Sequence, residues 1–220
     1  DYAAKRTPVG DIPEDDLNRM KWYGVFHRPQ KPGTFMIRLR LTGGQLTATQ
    51  ARAIARVARK HGGFADITSR QNIQLRDMAL HEVPGILQSL SDAGIHTLQT
   101  GMDNVRNFIG CPLAGIDGME LFDSRPLLEA IAEAHLVARK EFSNLPRKHK
   151  TAICGCRIHC AAPQINEIGL FGVERRRNNG VERGLGVCVG GGLRDTPYYA
   201  DSLRVFLKPD IELVKDVCRK

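Results

Sequence analysis

Residues 34–62, TFMIRLRLTGGQLTATQARAIARVARKHG, contain the change of periodicity that decides the fold of the first part of this chain. The residue types alternate over 34–41, which predicts a strand that points its arginines to one face. Thr47 follows as a helix N-cap, with Gln50 three residues on as its capping-box partner. Gly62 ends the helical pattern. This stretch therefore predicts a strand followed by an amphipathic helix.

Three further elements follow the helix. FADIT (64–68) and NIQLR (72–76) predict two short strands joined by a tight connection. HEVPGILQSLSDAG (81–94) predicts a second helix, and IHTLQ (95–99) a further strand. The order β-α-β-β-α-β over about 65 residues is typical of a ferredoxin-like split unit.

The whole chain divides into three parts by composition. Residues 1–20 are rich in proline and acidic residues without periodicity, and we expect an irregular arm. Residues 21–100 form the ferredoxin-like part. The glycine-rich segment 101–117 marks the boundary to a second part, 101–220, in which a helix over 124–144 precedes the candidate strands KTAICG, NEIGLFGV and GLGVCVGGG. The predicted fold class is α+β, with an α/β domain second, and the helical pattern at the C-terminus suggests that this domain is incomplete.

Composition narrows the function. The chain has 220 residues, 42% hydrophobic and 25% charged, and no stretch approaches the ~20 continuous apolar residues of a membrane span. No secretory signal is visible, so we expect the reducing cytoplasm, or a plastid in a eukaryote. The net charge of +8 favours anionic partners: nucleic acid, an acidic protein or a polyanionic cofactor.

Basic residues recur in segments of unusual local character: Arg38, Arg70, Arg106, Lys148 and Lys150. Each could belong to a solvated surface. Arginine, however, is favoured where carboxylates must be held bidentately, and two lysines on one face repel unless an anion lies between them. The recurrence favours an anion site built from distant parts of the chain.

Cysteines form a second cluster. Cys154, Cys156 and Cys160 make a C-x-C-x3-C pattern, and Cys111 lies in a G-C-P step. Thiolates at such spacing ligate zinc or iron–sulfur centres, whereas the alternative is small cysteines buried in strands. His159 could be a ligand or a polar neighbour.

The chain resembles the siroheme-dependent nitrite and sulfite reductases. MKWYGVFHR, MIRLRLTGG, ITSRQNIQL, DNVRN, LPRKHK and VGGG occur in the family's order over residues 20–192. The resemblance implies the family's N-terminal half: half of a ferredoxin-like domain, then a domain of the type that binds siroheme and a [4Fe-4S] cluster.

The resemblance also implies roles for individual residues. The residues at substrate-facing positions, where cations would hold the anion and relay protons, are Arg38, Arg106, Lys148 and Lys150. The residues in the segment that grips the siroheme carboxylates are Thr68, Arg70, Gln71, Asn72 and Gln74.

The family's cluster ligands are C-x5-C and C-x3-C in its second half, and this chain departs from that pattern. Cys156 and Cys160 reproduce the second pair, and Cys111 the end of the first, but Val105 stands at the other position. Either the cysteines echo a cluster site whose true ligands lie beyond the chain, or a compact form uses Cys111, Cys156, Cys160 and Cys154.

Substrate and partner follow from the same resemblance. WYGVFHR and DNVRNFIGCPLAGID look like ferredoxin-dependent nitrite reductases, whereas Lys150 looks like the sulfite enzymes. We expect six-electron reduction of nitrite to ammonia, with sulfite to sulfide as the alternative, and ferredoxin or a similar acidic electron donor. We expect neither nucleic acid nor a membrane as a partner. Two alternatives of other classes are a basic module that binds nucleic acid or an acidic protein, for which this chain lacks the stacking aromatics that RNA readers need, and a zinc-binding protein that uses the cysteines.

Overall fold

The computed structural model describes residues 1–137, 141–143, 145–178, 180–193 and 195–219, and has a mixed α/β architecture with two sheets. Two units emerge. Unit 1 comprises residues 1–41 and 45–102, and unit 2 comprises 42–44 and 103–220.

Unit 1 contains four antiparallel strands in the order β1-β2-β4-β3. Its elements are α1 (Glu14–Met20), β1 (Val25–His27), β2 (Thr34–Leu39), α2 (Ala48–Lys60), β3 (Ala65–Ile67), β4 (Ile73–Ala79) and α3 (Val83–Asp92). On β2, alternation sends Phe35, Ile37 and Leu39 into the core with Ile54 and Leu90 of the helices. From β2 to α3 the strands and helices follow the order that the sequence predicts.

Two local expectations for unit 1 are wrong. Residues 95–99 form no strand, and only an isolated bridge joins His96 to Arg40. The Thr100 hydroxyl donates to the Thr97 carbonyl at 2.9 Å, and Gln99 has φ of 59°, so the backbone curls instead of extending. Residues 14–20 of the expected irregular arm form α1, because three acidic residues in its first turn complement the helix dipole.

The capping box of α2 is present as predicted. The Thr47 hydroxyl accepts from the Gln50 N–H at 3.2 Å, and the Gln50 side chain accepts from the Thr47 N–H at 3.0 Å. We expect Thr47→Ala to lower the free energy of unfolding by ~1 kcal/mol, because it leaves a helix N–H without its acceptor. Urea unfolding measures this, with exposed Thr49→Ala as the control. Equal destabilisation by both variants would contradict the cap's role.

Unit 2 contains a five-stranded sheet in the order β5-β6-β7-β8-β9. Its strands are β5 (Ile109–Gly110), β6 (Thr151–Cys154), β7 (Ile168–Arg177), β8 (Gly180–Val189) and β9 (Asp201–Ser202), and its helices are α4 (Arg125–Val137) and α5 (Ile211–Arg219). The first three strands are parallel and the rest antiparallel. Phe108, Ile131 and Leu170 form the centre of its core. Of the expected helix over 124–144, residues 138–140 and 144 lie outside the described residues.

Within the described part of the chain, no helix combines the length and the apolar character that crossing a membrane requires.

Candidate cofactor and anion sites

The face of the unit 1 sheet opposite its apolar core is polar. The β-register places Arg38 beside Gln74, and Gln74 beside Asp66. Because side chains alternate between the two faces of a strand, residues two positions away from Arg38 and Gln74 lie on this same face. We call this surface the polar sheet face, and its members are Arg38, Arg40, Asp66, Gln74 and Arg76.

Arg38 is held in a defined orientation on this face. One guanidinium nitrogen donates to the Thr100 carbonyl at 2.9 Å, and the group lies 4.6 Å from the centroid of the Phe26 ring. The Thr100 hydroxyl in turn donates to the Arg38 carbonyl at 3.3 Å. Packing on an aromatic ring and a carbonyl therefore orients the planar fork that can hold an oxyanion.

Arg40 carries a buried positive charge next to another one. Its side chain is 5% exposed. Burial, and after it the charge of Arg70, lower the pKa of Arg40 to about 10. An anion placed near these two cations would be attracted by both in a poorly screened environment. Sequence reasoning paired Arg40 with Arg38 on one face but did not include it among the site residues.

The β3–β4 turn that carries Arg70 is shaped by Thr68 and Asn72. The Thr68 N–H donates to the Asn72 carbonyl at 2.9 Å, and the Asn72 N–H donates to the Thr68 hydroxyl at 3.1 Å. Gln71 takes a left-handed φ of 55° within this turn. The structure thus brings Thr68, Arg70, Gln71 and Asn72 into one tight loop next to the strand of Gln74, whose side chain accepts from Arg76 at 3.1 Å.

Gln99 was missed by sequence reasoning, which treated it as part of a strand. Its side chain is 4% exposed, and its amide nitrogen and oxygen are both buried without a hydrogen-bond partner among the described residues. Such atoms cost free energy unless a bound group satisfies them. The polar sequence TLQTG at 97–101 already argued against a strand there, because a glutamine is uncommon in a buried strand.

In unit 2, the backbone of residues 103–106 pairs with that of residues 148–149. This pairing places the segment of Arg106 beside the segment that carries Lys148 and Lys150. Val105 forms a parallel bridge with His149, and the Arg106 N–H donates to the His149 carbonyl at 2.8 Å. The Lys148 N–H donates to the Asp103 carboxylate at 2.9 Å. Burial lowers the pKa of Arg106, and the charge of Asp103 opposes this effect. The backbone of Arg106 therefore lies beside the segment that leads into β6 and carries Lys148 and Lys150.

Lys150 is paired with an acidic residue that sequence reasoning did not identify. Its ammonium lies 3.3 Å from the Glu167 carboxylate and donates to the Ile165 carbonyl at 3.4 Å. The same carboxylate accepts from the Lys150 N–H at 2.7 Å. The Lys150 side chain is 13% exposed, so this pair is partly shielded from water. The carboxylate and the Ile165 carbonyl together fix the position of the ammonium group.

The structure brings Cys111, Cys156 and Cys160 together. Their sulfur atoms all lie within 4.8 Å of one another. Cys111 and Cys156 are buried and Cys160 is exposed. Burial, with smaller contributions from the other two thiols, raises the pKa of Cys111 to about 11. The Cys111 thiol therefore carries its proton at neutral pH, and a metal centre would displace that proton on binding.

Two neighbours complete this region. Cys154 is fully buried, and burial, with the nearby cysteines, raises its pKa to about 12. His159 precedes Cys160 in the loop, and its ring centroid lies 4.8 Å from that of Phe171.

Both units match known protein families. Residues 101–220 match the "Nitrite and sulphite reductase 4Fe-4S domain", and residues 28–93 match the "Nitrite/Sulfite reductase ferredoxin-like half domain". The donor sets fit this family's cofactors: three adjacent thiols suit a [4Fe-4S] centre, and a buried arginine near a second one suits the carboxylates of siroheme, which is expected for the family.

Individual relatives agree. The chain is 42% identical over 182 residues to a ferredoxin–nitrite reductase of Leptolyngbya laminosa, covering 80% of this chain and 35% of that protein. It is 44% identical over 162 residues to the chloroplastic ferredoxin–nitrite reductase of Arabidopsis thaliana, covering 70% and 28%. The chain thus spans about a third of the length of these curated relatives.

Solved structures agree as well. The structure of the Mycobacterium tuberculosis NirA protein superposes with a TM-score of 0.85 at 30% identity, covering 99% of this chain and 41% of that one. The resemblance found in the sequence motifs is confirmed: the chain belongs to the nitrite and sulfite reductase family of oxidoreductases.

Proposed function

We propose that the chain serves the siroheme-dependent, six-electron reduction of nitrite to ammonia, with electrons supplied by ferredoxin through a [4Fe-4S] cluster. The observation that carries this proposal is the buried Arg40 near the charge of the half-buried Arg70, on the same face as the oriented Arg38. Cations gathered in a poorly screened environment attract an anion strongly. Names of relatives at more than 40% identity support nitrite as that anion.

Two roles are proposed for the unit 1 residues. Arg70 and Gln71, presented by a tight turn, would hold carboxylates at the rim of siroheme, with Gln74 on the adjacent strand. Thr68 and Asn72 shape the turn through their mutual hydrogen bonds and so position the other residues. Siroheme, when bound, supplies an iron that takes the oxyanion and delivers electrons to it. Arg38 would hold the oxyanion's developing negative charge through its oriented fork.

In unit 2, the proposed roles concern charge and protons. Arg106 and Lys148 would contribute positive potential toward the substrate. Lys150 would donate a proton from its ammonium group, which the Glu167 carboxylate 3.3 Å away holds in position. Breaking N–O bonds consumes protons, so a partly shielded pair of this kind suits the reaction.

The donor and compartment are proposed from charge and relatives. A net charge of +8 favours an acidic donor such as ferredoxin. Cytoplasm is the proposed compartment, and the chloroplastic relatives support a plastid for a eukaryotic source.

Siroheme binding tests the proposal directly. The chain is produced in a host that makes siroheme, and bound siroheme per chain is measured by its visible absorption after purification. We expect a coloured protein, and we expect Arg70→Leu to lower the bound fraction at least tenfold through loss of charge-assisted hydrogen bonds. Exposed Arg59→Leu on α2 is the matched control. A colourless unaltered chain, or equal binding by both variants, would overturn the proposal.

Sulfite is the second candidate substrate, favoured by Lys150. Sulfite is a dianion, so loss of a cation should penalise it more than nitrite. We expect Lys150→Asn to raise the ratio of kcat/KM for nitrite to that for sulfite by about tenfold. We expect Glu167→Gln to lower that ratio, because it frees the Lys150 charge. Exposed Lys208→Asn is the control. An unchanged ratio in the Lys150 variant would remove this residue from substrate choice.

A further inference from the structure

Cys111 and Cys154 of the second cluster lie at the ends of neighbouring strands, on one face of the unit 2 sheet. The parallel register pairs Ile109 with Ala152 and Gly110 with Ile153. The next residues in that register are Cys111 and Cys154. Neighbouring residues on parallel strands carry their side chains to the same face, so these two thiols are adjacent.

Alternation along the chain extends the same face. Ala152, Cys154 and Cys156 are two residues apart, and all three belong to one buried group with Ile109 and Cys111. Ile153, between them, instead packs in the other core group with Ile131 of α4. The sheet therefore directs Cys111, Cys154 and Cys156 to one side, where the following loop returns with Cys160.

The position expected to supply the fourth thiolate is apolar and packs elsewhere. Val105 stands six residues before Cys111 and is 2% exposed. It belongs to the core group of Phe108 and Leu127, not to the group of the cysteines. A [4Fe-4S] cluster is held by four cysteine thiolates, and three are already adjacent here.

We propose that Cys154 is the fourth ligand, so that Cys111, Cys154, Cys156 and Cys160 form a complete [4Fe-4S] site within unit 2. This rests on the proposed function only for the identity of the centre as iron–sulfur. The ligand set is new to the family pattern, because Cys154 at the end of β6, two residues before Cys156, replaces the distant first cysteine. Cys160 is the exposed member, so it marks the side of the centre that faces solvent.

The test measures the centre itself, independently of activity. The chain is purified without oxygen, and iron, acid-labile sulfide and the electron paramagnetic resonance spectrum of the reduced protein are recorded. Siroheme is quantified in the same samples and its iron subtracted. We expect about four irons and four sulfides per chain.

Three variants identify the ligand. We expect Cys154→Ser and Cys154→Ala to lose at least about one iron in four and to change the resonance spectrum, as Cys156→Ser should. Cys188→Ser is the matched control: Cys188 is also buried in unit 2, but its thiol donates to the Gly169 carbonyl at 3.5 Å, and we expect full iron content. The apo forms are compared by thermal unfolding, so that loss of iron is separated from loss of fold.

Three outcomes would overturn the inference: unchanged iron and spectrum in both Cys154 variants, equal losses in the Cys154 and Cys188 variants, or one zinc and no sulfide in the unaltered chain. A chain that binds siroheme but holds no iron beyond the siroheme iron and no acid-labile sulfide contradicts this inference, whereas the siroheme-binding part of the proposed function stands. A chain that holds the cluster but no siroheme contradicts the proposed function and leaves this inference standing.

Discussion

Gly155→Ala is expected to lower the free energy of unfolding by about 3 kcal/mol or more and to abolish iron binding at the cysteines. A Cβ at this position would overlap the carbonyl oxygen of Phe122, closer than real Cβ contacts come, and would touch the Ser124 side chain. The obstacle is backbone and cannot rotate away. That backbone is itself fastened, because the Leu121 N–H donates to the Gly155 carbonyl at 2.9 Å.

The effect reaches the metal site because Gly155 separates Cys154 from Cys156. Relief of the overlap by a shift of the strand end displaces Cys156, whose sulfur now lies close to those of Cys111 and Cys160. Urea unfolding and iron content measure the two effects. Gly118→Ala is the control, since nothing lies within 4 Å of a Cβ built there. Unfolding at the same urea concentration in both variants would refute the steric argument.

Arg38→Leu is expected to lower kcat/KM for nitrite by about 100- to 1000-fold, with bound siroheme unchanged. The expectation rests on the proposed function, and the magnitude is typical for removal of one oriented group that stabilises charge in the transition state. Arg38→Lys should have a kcat/KM for nitrite between those of the unaltered chain and of Arg38→Leu, because an ammonium keeps the charge but cannot reproduce the planar guanidinium that stacks on Phe26.

Nitrite consumption with a chemical reductant measures this effect without the natural donor. Exposed Arg52→Leu on α2 removes the same charge from the same unit and should change the rate less than threefold, because surface charges are well screened. Loss of siroheme from the Arg38 variant would assign the residue to cofactor binding. Equal rates for the two leucine variants would exclude it from the anion site.

Local chemistry explains which elements were predictable. The Thr47 capping box and the alternation of β2 depend on neighbours within a few residues, and both are present in the structure. The strand predicted for residues 95–99 is absent because the hydrogen bond between Thr100 and Thr97 and the left-handed φ of Gln99 turn the backbone. This local geometry overrides the strand-like composition of the segment. Helix α1 was missed because it is short and has only one apolar pair at helical spacing, Leu17 and Met20, whose packing against the core is a tertiary contact.

The sequence by itself determined the family, the ferredoxin-like order of elements and the identity of the basic and cysteine residues, because these are written in residue types and spacing. Only the tertiary structure decided which groups are neighbours. Strand register and the path of the connecting loops bring together three pairs: Arg40 with Arg70, Lys150 with Glu167, and Cys154 with Cys111. Charge, proton transfer and metal ligation act over a few ångströms, so the chemistry of these residues depends on contacts that spacing along the chain does not contain.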